Sequence, residues 1–220
     1  SQGEGLGNAF LSHIREVDAI VFVLRAFPDD DVPGPSDPLE HLRVVEIELA
    51  LADLAAAEKA LDKTQRSMKG DAALKPMVAL LQTCVDHLSE GTPLYRANLR
   101  ADDRAELKEY FFLTNKPVMA VLNIGEDQIG DEDAIAAPVR EELDGAEVVV
   151  LSVQLEAEAA LMEEDERVEM LEALGLGDGA VPRFLKSAYH MLGLRTFLTT
   201  GEKESRAWTF RAGSSAPECA

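Results

Sequence analysis

Cysteine is scarce: Cys84 and Cys219 are the two in the chain. Two thiols cannot build a disulfide framework or a four-ligand zinc site, and their number fits a reducing compartment. Apolar runs are short, and none approaches the roughly 18 consecutive residues of a membrane-spanning helix. The opening Ser1-Gln2-Gly3-Glu4 lacks the basic and apolar regions of a signal peptide. These absences predict a cytoplasmic chain with no membrane partner. Cations are also few: 21 Lys plus Arg stand against 41 Asp plus Glu, a formal charge of −20. That balance argues against holding DNA by bulk charge, which needs clustered Lys and Arg; a local basic face stays open. The four histidines, His13, His41, His87 and His190, form no metal-ligand spacing, and no Gly-x-Ser-x-Gly elbow occurs. No Gly-Lys dipeptide exists, so the phosphate-cradling G-x-x-x-x-G-K-[ST] loop is not in these residues.

What is present is globular. The chain has 220 residues, 46% hydrophobic and 28% charged, enough for one large domain or two small ones. Three runs read as buried strands of a parallel sheet, covered on both faces: 19–24, 117–122 ending at Asn123, and 147–151 ending at Ser152. Between the first two lies a helical excursion. Asp37 is a candidate N-cap with Pro38 as first helical residue. Val44, Ile47, Leu51, Leu54 and Leu61 then recur at heptad-like steps. Gly70 and Asp71 punctuate, and Leu74, Met77, Leu81, Cys84 and Leu88 form a second seam closed by Gly91. Two such helices joined by a short turn predict an antiparallel hairpin.

Further helices are expected over 8–16, 102–113, 131–143 (where Pro138 is a candidate break), 163–174 and 182–192. Residues 196–200 and 205–210 read as a β-hairpin, which is marginal alone and wants a partner sheet. The fold class is therefore α/β: part of a parallel-sheet domain with flanking helices, an inserted antiparallel helical hairpin, and the start of a β-rich domain. The divisions fall at 1–35, 36–114, 115–195 and 196–220.

Ligands of open α/β sheets bind beyond the carboxyl ends of the strands. Three such ends are visible: Arg25-Ala26-Phe27, Asn123-Ile124-Gly125-Glu126 and Ser152-Val153-Gln154. An Asn after a buried strand can tie loops together, and a carboxylate three residues on can accept hydrogen bonds from a base edge. In guanine-specific NTPases this slot is Asn-Lys-x-Asp. Here Ile124 replaces the Lys, removing a long stem that would cover the base, and Glu126 replaces the Asp, moving the acceptor. Both changes weaken guanine selectivity. Ser152 and Val153 could offer backbone N–H groups to the same base. Other candidates read locally as ordinary surface: Asp29-Asp30-Asp31 as a solvated loop rather than a cation site, Gly3-x-Gly5-x-Gly7 as a loop before a helix, and two basic sets, Arg96/Arg100/Arg104 and Arg183/Lys186/Arg195, as paired surface arginines or a face for RNA.

Taken together, several segments resemble the YchF/Obg-like ATPase family. They are Gln2-Gly3-Glu4-Gly5-Leu6-Gly7-Asn8 with Ile14-Arg15-Glu16, the helix Glu48-Leu49-Ala50-Leu51-Ala52-Asp53-Leu54, Asn123-x-x-Glu126, and the run from Gly201 to Thr209. The resemblance covers essentially the whole chain in family order. It implies the rear of a P-loop G domain, a coiled-coil insertion and the opening of a TGS domain. It also implies ATP as ligand with GTP accepted, Mg²⁺ held by residues upstream of Ser1, and a ribosomal partner, with the large subunit as the expected contact. Asn123, Ile124, Glu126, Ser152 and Val153 carry over as base-site residues, and no catalytic residue does. The family's proposed hydrolytic His has no counterpart in the short Val32-Pro33-Gly34-Pro35-Ser36 loop. On this reading the intact protein is a nucleotide-dependent switch, and these residues alone are inactive. The alternative is a non-catalytic interaction module built on the helical hairpin.

Overall fold

The computed structural model describes residues 2–28, 36–177, 179–201, 204–215 and 217. The cation reading of residues 29–31, most of the loop that follows, the tip of the C-terminal hairpin and Cys219 lie outside them.

The sheet is parallel, in the order β1 (Ile20–Arg25), β2 (Val118–Asn123), β3 (Glu147–Leu151). Central β2 is buried over its first five residues, which its unbroken apolar sequence requires. β1 departs from the expectation of cover on both faces. Phe22 and Leu24 point into the core, while Val23 on the opposite face is 61% exposed. Consecutive side chains of a strand alternate faces, and only one face of β1 is packed.

Helix α1 (Gln2–Glu16) starts earlier than the expected residue 8 and runs through the glycines at 3, 5 and 7; that segment is helical, not a loop. Helix α2 (Pro38–Met68) begins as the sequence predicts: Asp37 accepts from the Leu39 N–H at 2.8 Å and the Glu40 N–H at 3.4 Å. After a turn at Gly70, Asp71 caps a short 3₁₀ turn, and α3 (Lys75–Ser89) runs back along α2 with Pro76 in its first turn. Pro is tolerated there because the first-turn N–H groups have no helical partner. Gly91 closes the hairpin with φ 77°, a conformation other residues rarely adopt.

The seam on α2 is not the expected one. Val44, Ile47 and Leu51 are 48%, 51% and 59% exposed. The buried face carries Leu42, Glu46, Leu49, Ala50, Asp53, Ala57 and Leu61. Two carboxylates thus sit in the packed stripe. Cys84 lies opposite this face with Leu81 and Leu88, its thiol pushed up to about 12 by burial and by Asp53.

The expected helix over 102–113 ends early. Helix α4 (Ala101–Glu106) passes into a 3₁₀ turn over Leu107–Tyr110 and stops at Phe111, whose φ of 53° is left-handed. Helix α5 (Glu132–Glu142) passes through Pro138 without dividing; buried Ala136 and Val139 hold it to the sheet. Helix α6 (Val153–Ala159) follows β3 directly. Helix α7 (Glu164–Ala173) is not amphipathic as expected: it buries Leu171 alone, because acidic residues occupy most of its surface. Helix α8 (Ala180–Met191) packs on β3, and β4 (Leu194–Thr200) pairs antiparallel with β5 (Ser205–Arg211) as a separate two-stranded sheet. No described helix is long and apolar enough to cross a membrane.

Candidate functional site

The carboxyl ends of the three strands meet in register, Arg25 beside Asn123 and Asn123 beside Leu151. Backbone bonds carry the pairing one residue further on each side. The Ala26 N–H donates to the Asn123 carbonyl and the Ile124 N–H to the Leu151 carbonyl, both at 2.9 Å. A parallel sheet therefore delivers the three loops to one edge, and a cavity of about 620 Å³ opens there.

All five residues singled out in the sequence line this cavity, each in a different way. The Asn123 side-chain oxygen accepts the Val153 N–H at 3.0 Å, joining the β2 and β3 loops. That bond corrects one expectation: the Val153 N–H is engaged, so Val153 offers its half-exposed side chain instead. Ser152 is buried, and its hydroxyl turns inward as the N-cap of α6, 3.5 Å from the Leu155 N–H. Ile124 packs its side chain into the hydrophobic core beneath the cavity. Its apolar character suits that floor, where a lysine ammonium would be desolvated. Glu126 is exposed and has no ion-pair partner among the described residues, which leaves its carboxylate open as an acceptor.

Two residues escaped local sequence reasoning. Gln128 clamps the loops: its side-chain oxygen accepts the Gly125 N–H at 2.8 Å and its amide donates to the Ala26 carbonyl at 2.8 Å. Phe27, half-buried at the end of β1, supplies an aromatic wall; only its place at a strand end pointed to it. A Cβ at Gly125 would come within 2.5 Å of the Asp127 carboxylate oxygen, the end of an exposed side chain that is free to turn aside.

The remaining candidates lie elsewhere. Arg96 bridges Glu46 and Glu142, Arg100 pairs with Asp103, and Arg104 donates to the backbone carbonyls of Tyr95 and Ala97. Arg183 lines a separate cavity beside β3. Among the described residues no three His, Cys, Asp or Glu side chains are grouped to hold a metal ion. A Mg²⁺ ion coordinates several oxygen ligands and usually substrate phosphates, and the described residues present no such set.

A cleft of polar loops at the carboxyl edge of a parallel sheet, with a helical hairpin inserted before the central strand, defines a partial P-loop-type G domain followed by the start of a β-rich domain. The comparisons with known proteins agree. No protein-family model matches the chain. The ribosome-binding ATPase YchF of Bacillus subtilis is 38% identical over 230 aligned residues, covering all of this chain and 62% of that protein. Its counterpart from Escherichia coli O157:H7 is 38% identical over 226, with the same coverage. The structure of the Schizosaccharomyces pombe YchF GTPase superposes with a TM-score of 0.84 at 29% identity, over 96% of this chain and 60% of that one. The chain is similar over its whole length to these YchF relatives, and it spans about three-fifths of the length of the relatives it matches.

Proposed function

We propose that this chain is the base-recognition and helical-arm portion of a ribosome-associated, cytoplasmic nucleotide switch that binds and hydrolyses ATP and accepts GTP. The observation that carries the reading is the cavity at the strand ends, where Asn123 ties the two loops and Glu126 stands free beside an apolar floor and an aromatic wall. Adenine offers one exocyclic amine as a donor, and a single free carboxylate suits it. The base would lie between Phe27 and the Val153 side chain, with Ile124 beneath.

Phosphate binding and Mg²⁺ belong to residues outside this chain. When bound, Mg²⁺ would neutralise phosphate charge; the residues present here bind and orient the base. In this scheme residues 1–35 and 115–195 form the G-domain part, 36–114 the helical insertion, and 196–220 the opening of the TGS domain. The insertion and the TGS domain would meet the ribosome, at its large subunit. Relatives that carry the name ribosome-binding ATPase support this reading, and nothing in the comparisons favours a purely non-catalytic module.

The test is calorimetric titration of ATP into a polypeptide of the relatives' full length. Glu126→Ala should weaken ATP by about tenfold, the equivalent of one charge-assisted hydrogen bond, and Asn123→Ala by about fivefold through loss of the neutral bond that ties the two loops. Unchanged affinity in both variants would sink the base-site assignment.

A further inference from the structure

Two side chains join the three loops at the strand-end cavity, and both belong to the end of β2 and its loop. Asn123 holds the β3 loop through the Val153 N–H. Gln128 holds the β1 loop through the carbonyl of Ala26, the residue before Phe27. We propose that Gln128 is a positioning residue of the base site: it fixes the Phe27 wall against the loop that carries Glu126, so that the slot has one width before a nucleotide arrives. The inference rests on the base-site reading and deepens it. Gln128 does not border the cavity, so it acts through Phe27 and Glu126 and not by contact with the base.

The bonds of Gln128 separate this role from that of a local cap. Its backbone N–H donates to the Gly125 carbonyl at 3.1 Å, and its side-chain oxygen accepts the Gly125 N–H at 2.8 Å. The second of these is the backward half of a capping box, which a glutamate makes equally well. The remaining bond is not local. The side-chain amide donates at 2.8 Å to the Ala26 carbonyl, 102 residues earlier in the chain. An amide carries an acceptor and a donor on one group, whereas an ionised carboxylate only accepts. Glutamate could therefore cap this turn and could not tie it to β1.

Ala26 is buried, and its own N–H donates to the Asn123 carbonyl at 2.9 Å. With Gln128 on its carbonyl, this residue is held on both sides where the chain turns out to Phe27. The loops also touch: the Phe27 Cβ lies 3.7 Å from where a Cβ on Gly125 would stand. A ligand that must order its own walls as it binds loses affinity, and a preformed slot avoids that loss. Without the Gln128 bond, the Phe27 side of the slot is tied to the middle loop by the Ala26 N–H alone. The phosphates are held by residues outside this chain in the proposed scheme, so the effect falls on the base and leaves the phosphates untouched.

The test is binding of ATP and of inorganic triphosphate, with hydrolysis kinetics, in a polypeptide of the relatives' full length. Gln128→Glu keeps the cap and loses the bond to Ala26; Gln128→Met keeps the volume and loses both bonds. Each should weaken ATP about fivefold, the loss expected of one neutral hydrogen bond. Each should raise KM while kcat stays within about twofold, as removal of ground-state binding does. Inorganic triphosphate has no base and should bind both variants within about twofold of wild type. Wild-type ATP affinity in both Gln128 variants, beside a loss in Glu126→Ala or Asn123→Ala, would overturn the positioning role and leave the base site standing. Unchanged ATP affinity in Glu126→Ala and Asn123→Ala alike would overturn the base-site reading and this proposal with it. Equal losses of ATP and inorganic triphosphate, or a fall in kcat at constant KM, would give Gln128 a general structural role and also overturn the proposal.

Discussion

Arg15, in the last turn of α1, reaches the carboxylate of Asp53 on α2 at 3.2 Å, across 38 residues of sequence. The same carboxylate accepts the Leu113 N–H at 3.0 Å, the Thr114 N–H at 2.7 Å and the Thr114 hydroxyl at 2.9 Å. Arg15 also donates to the carbonyls of Phe111 and Ala52. One buried acid thus fastens α1, the base of the helical hairpin and the approach to β2.

Asp53→Ala would strand two backbone N–H groups and a guanidinium. Losing one partner of a buried, hydrogen-bonded pair costs about 3–5 kcal/mol, and urea unfolding should read a loss of that size. Arg15→Ala leaves Asp53 its three other donors and should cost less, about 1–2 kcal/mol. An Asp53→Ala loss below 1 kcal/mol, on this scale, would mean the junction is not held there.

Glu46 is the second acid on the buried face of α2. It accepts the Tyr95 hydroxyl at 2.7 Å and Arg96 at 3.0 Å, while Arg96 also pairs with Glu142. Burial raises the Glu46 carboxyl above its ordinary value despite these donors. The folded chain then holds this proton more tightly than the unfolded chain. The group's contribution to stability is full below the ordinary carboxyl range and is lost as pH rises through the folded value. A glutamine has no such dependence. The penalty of Glu46→Gln should therefore be largest near about pH 4 and shrink toward neutrality. Denaturant midpoints measured across that window give the sign, and a penalty growing with pH would contradict it.

Two adjacent aromatics should behave oppositely. Phe111 is left-handed and 60% exposed, while Phe112 is 2% exposed in the hairpin core. Glycine at 111 removes a backbone cost of about 1–2 kcal/mol against a smaller loss of contact, so Phe111→Gly should be neutral or stabilising. Phe112→Ala empties a packed site and should cost about 3–5 kcal/mol. Thermal unfolding of the pair checks this; equal destabilisation would mean that the exposed Phe111 ring holds the turn.

Much of this arrangement was legible in the sequence. Three apolar runs announced the strands within a residue or so. Asp37 with Pro38 announced the start of α2, and the strand ends announced where a cavity opens. What failed has a common cause. Hydropathy points to the stripe through Val44, Ile47 and Leu51, but the buried stripe holds Glu46 and Asp53, acids whose partners lie 38 to 61 residues away. Periodicity cannot see a carboxylate that is satisfied by distant donors. The early end of α4 depends on one left-handed residue, Phe111, which no local propensity favours. In the cleft, Asn123 and Glu126 were visible as a spaced pair. Gln128 was not, because its function is to bridge two loops that only the fold brings together.

The central claim is that the loops after β2 and β3 form a base-binding site. The most direct measurement is a titration of the isotope-labelled chain with ATP at millimolar concentration, followed by amide NMR. The account predicts saturable shifts concentrated at Ile124, Gly125, Glu126 and Gln154, and their loss in Asn123→Ala. Saturable shifts gathered at another surface, or the same response in Asn123→Ala, would contradict it.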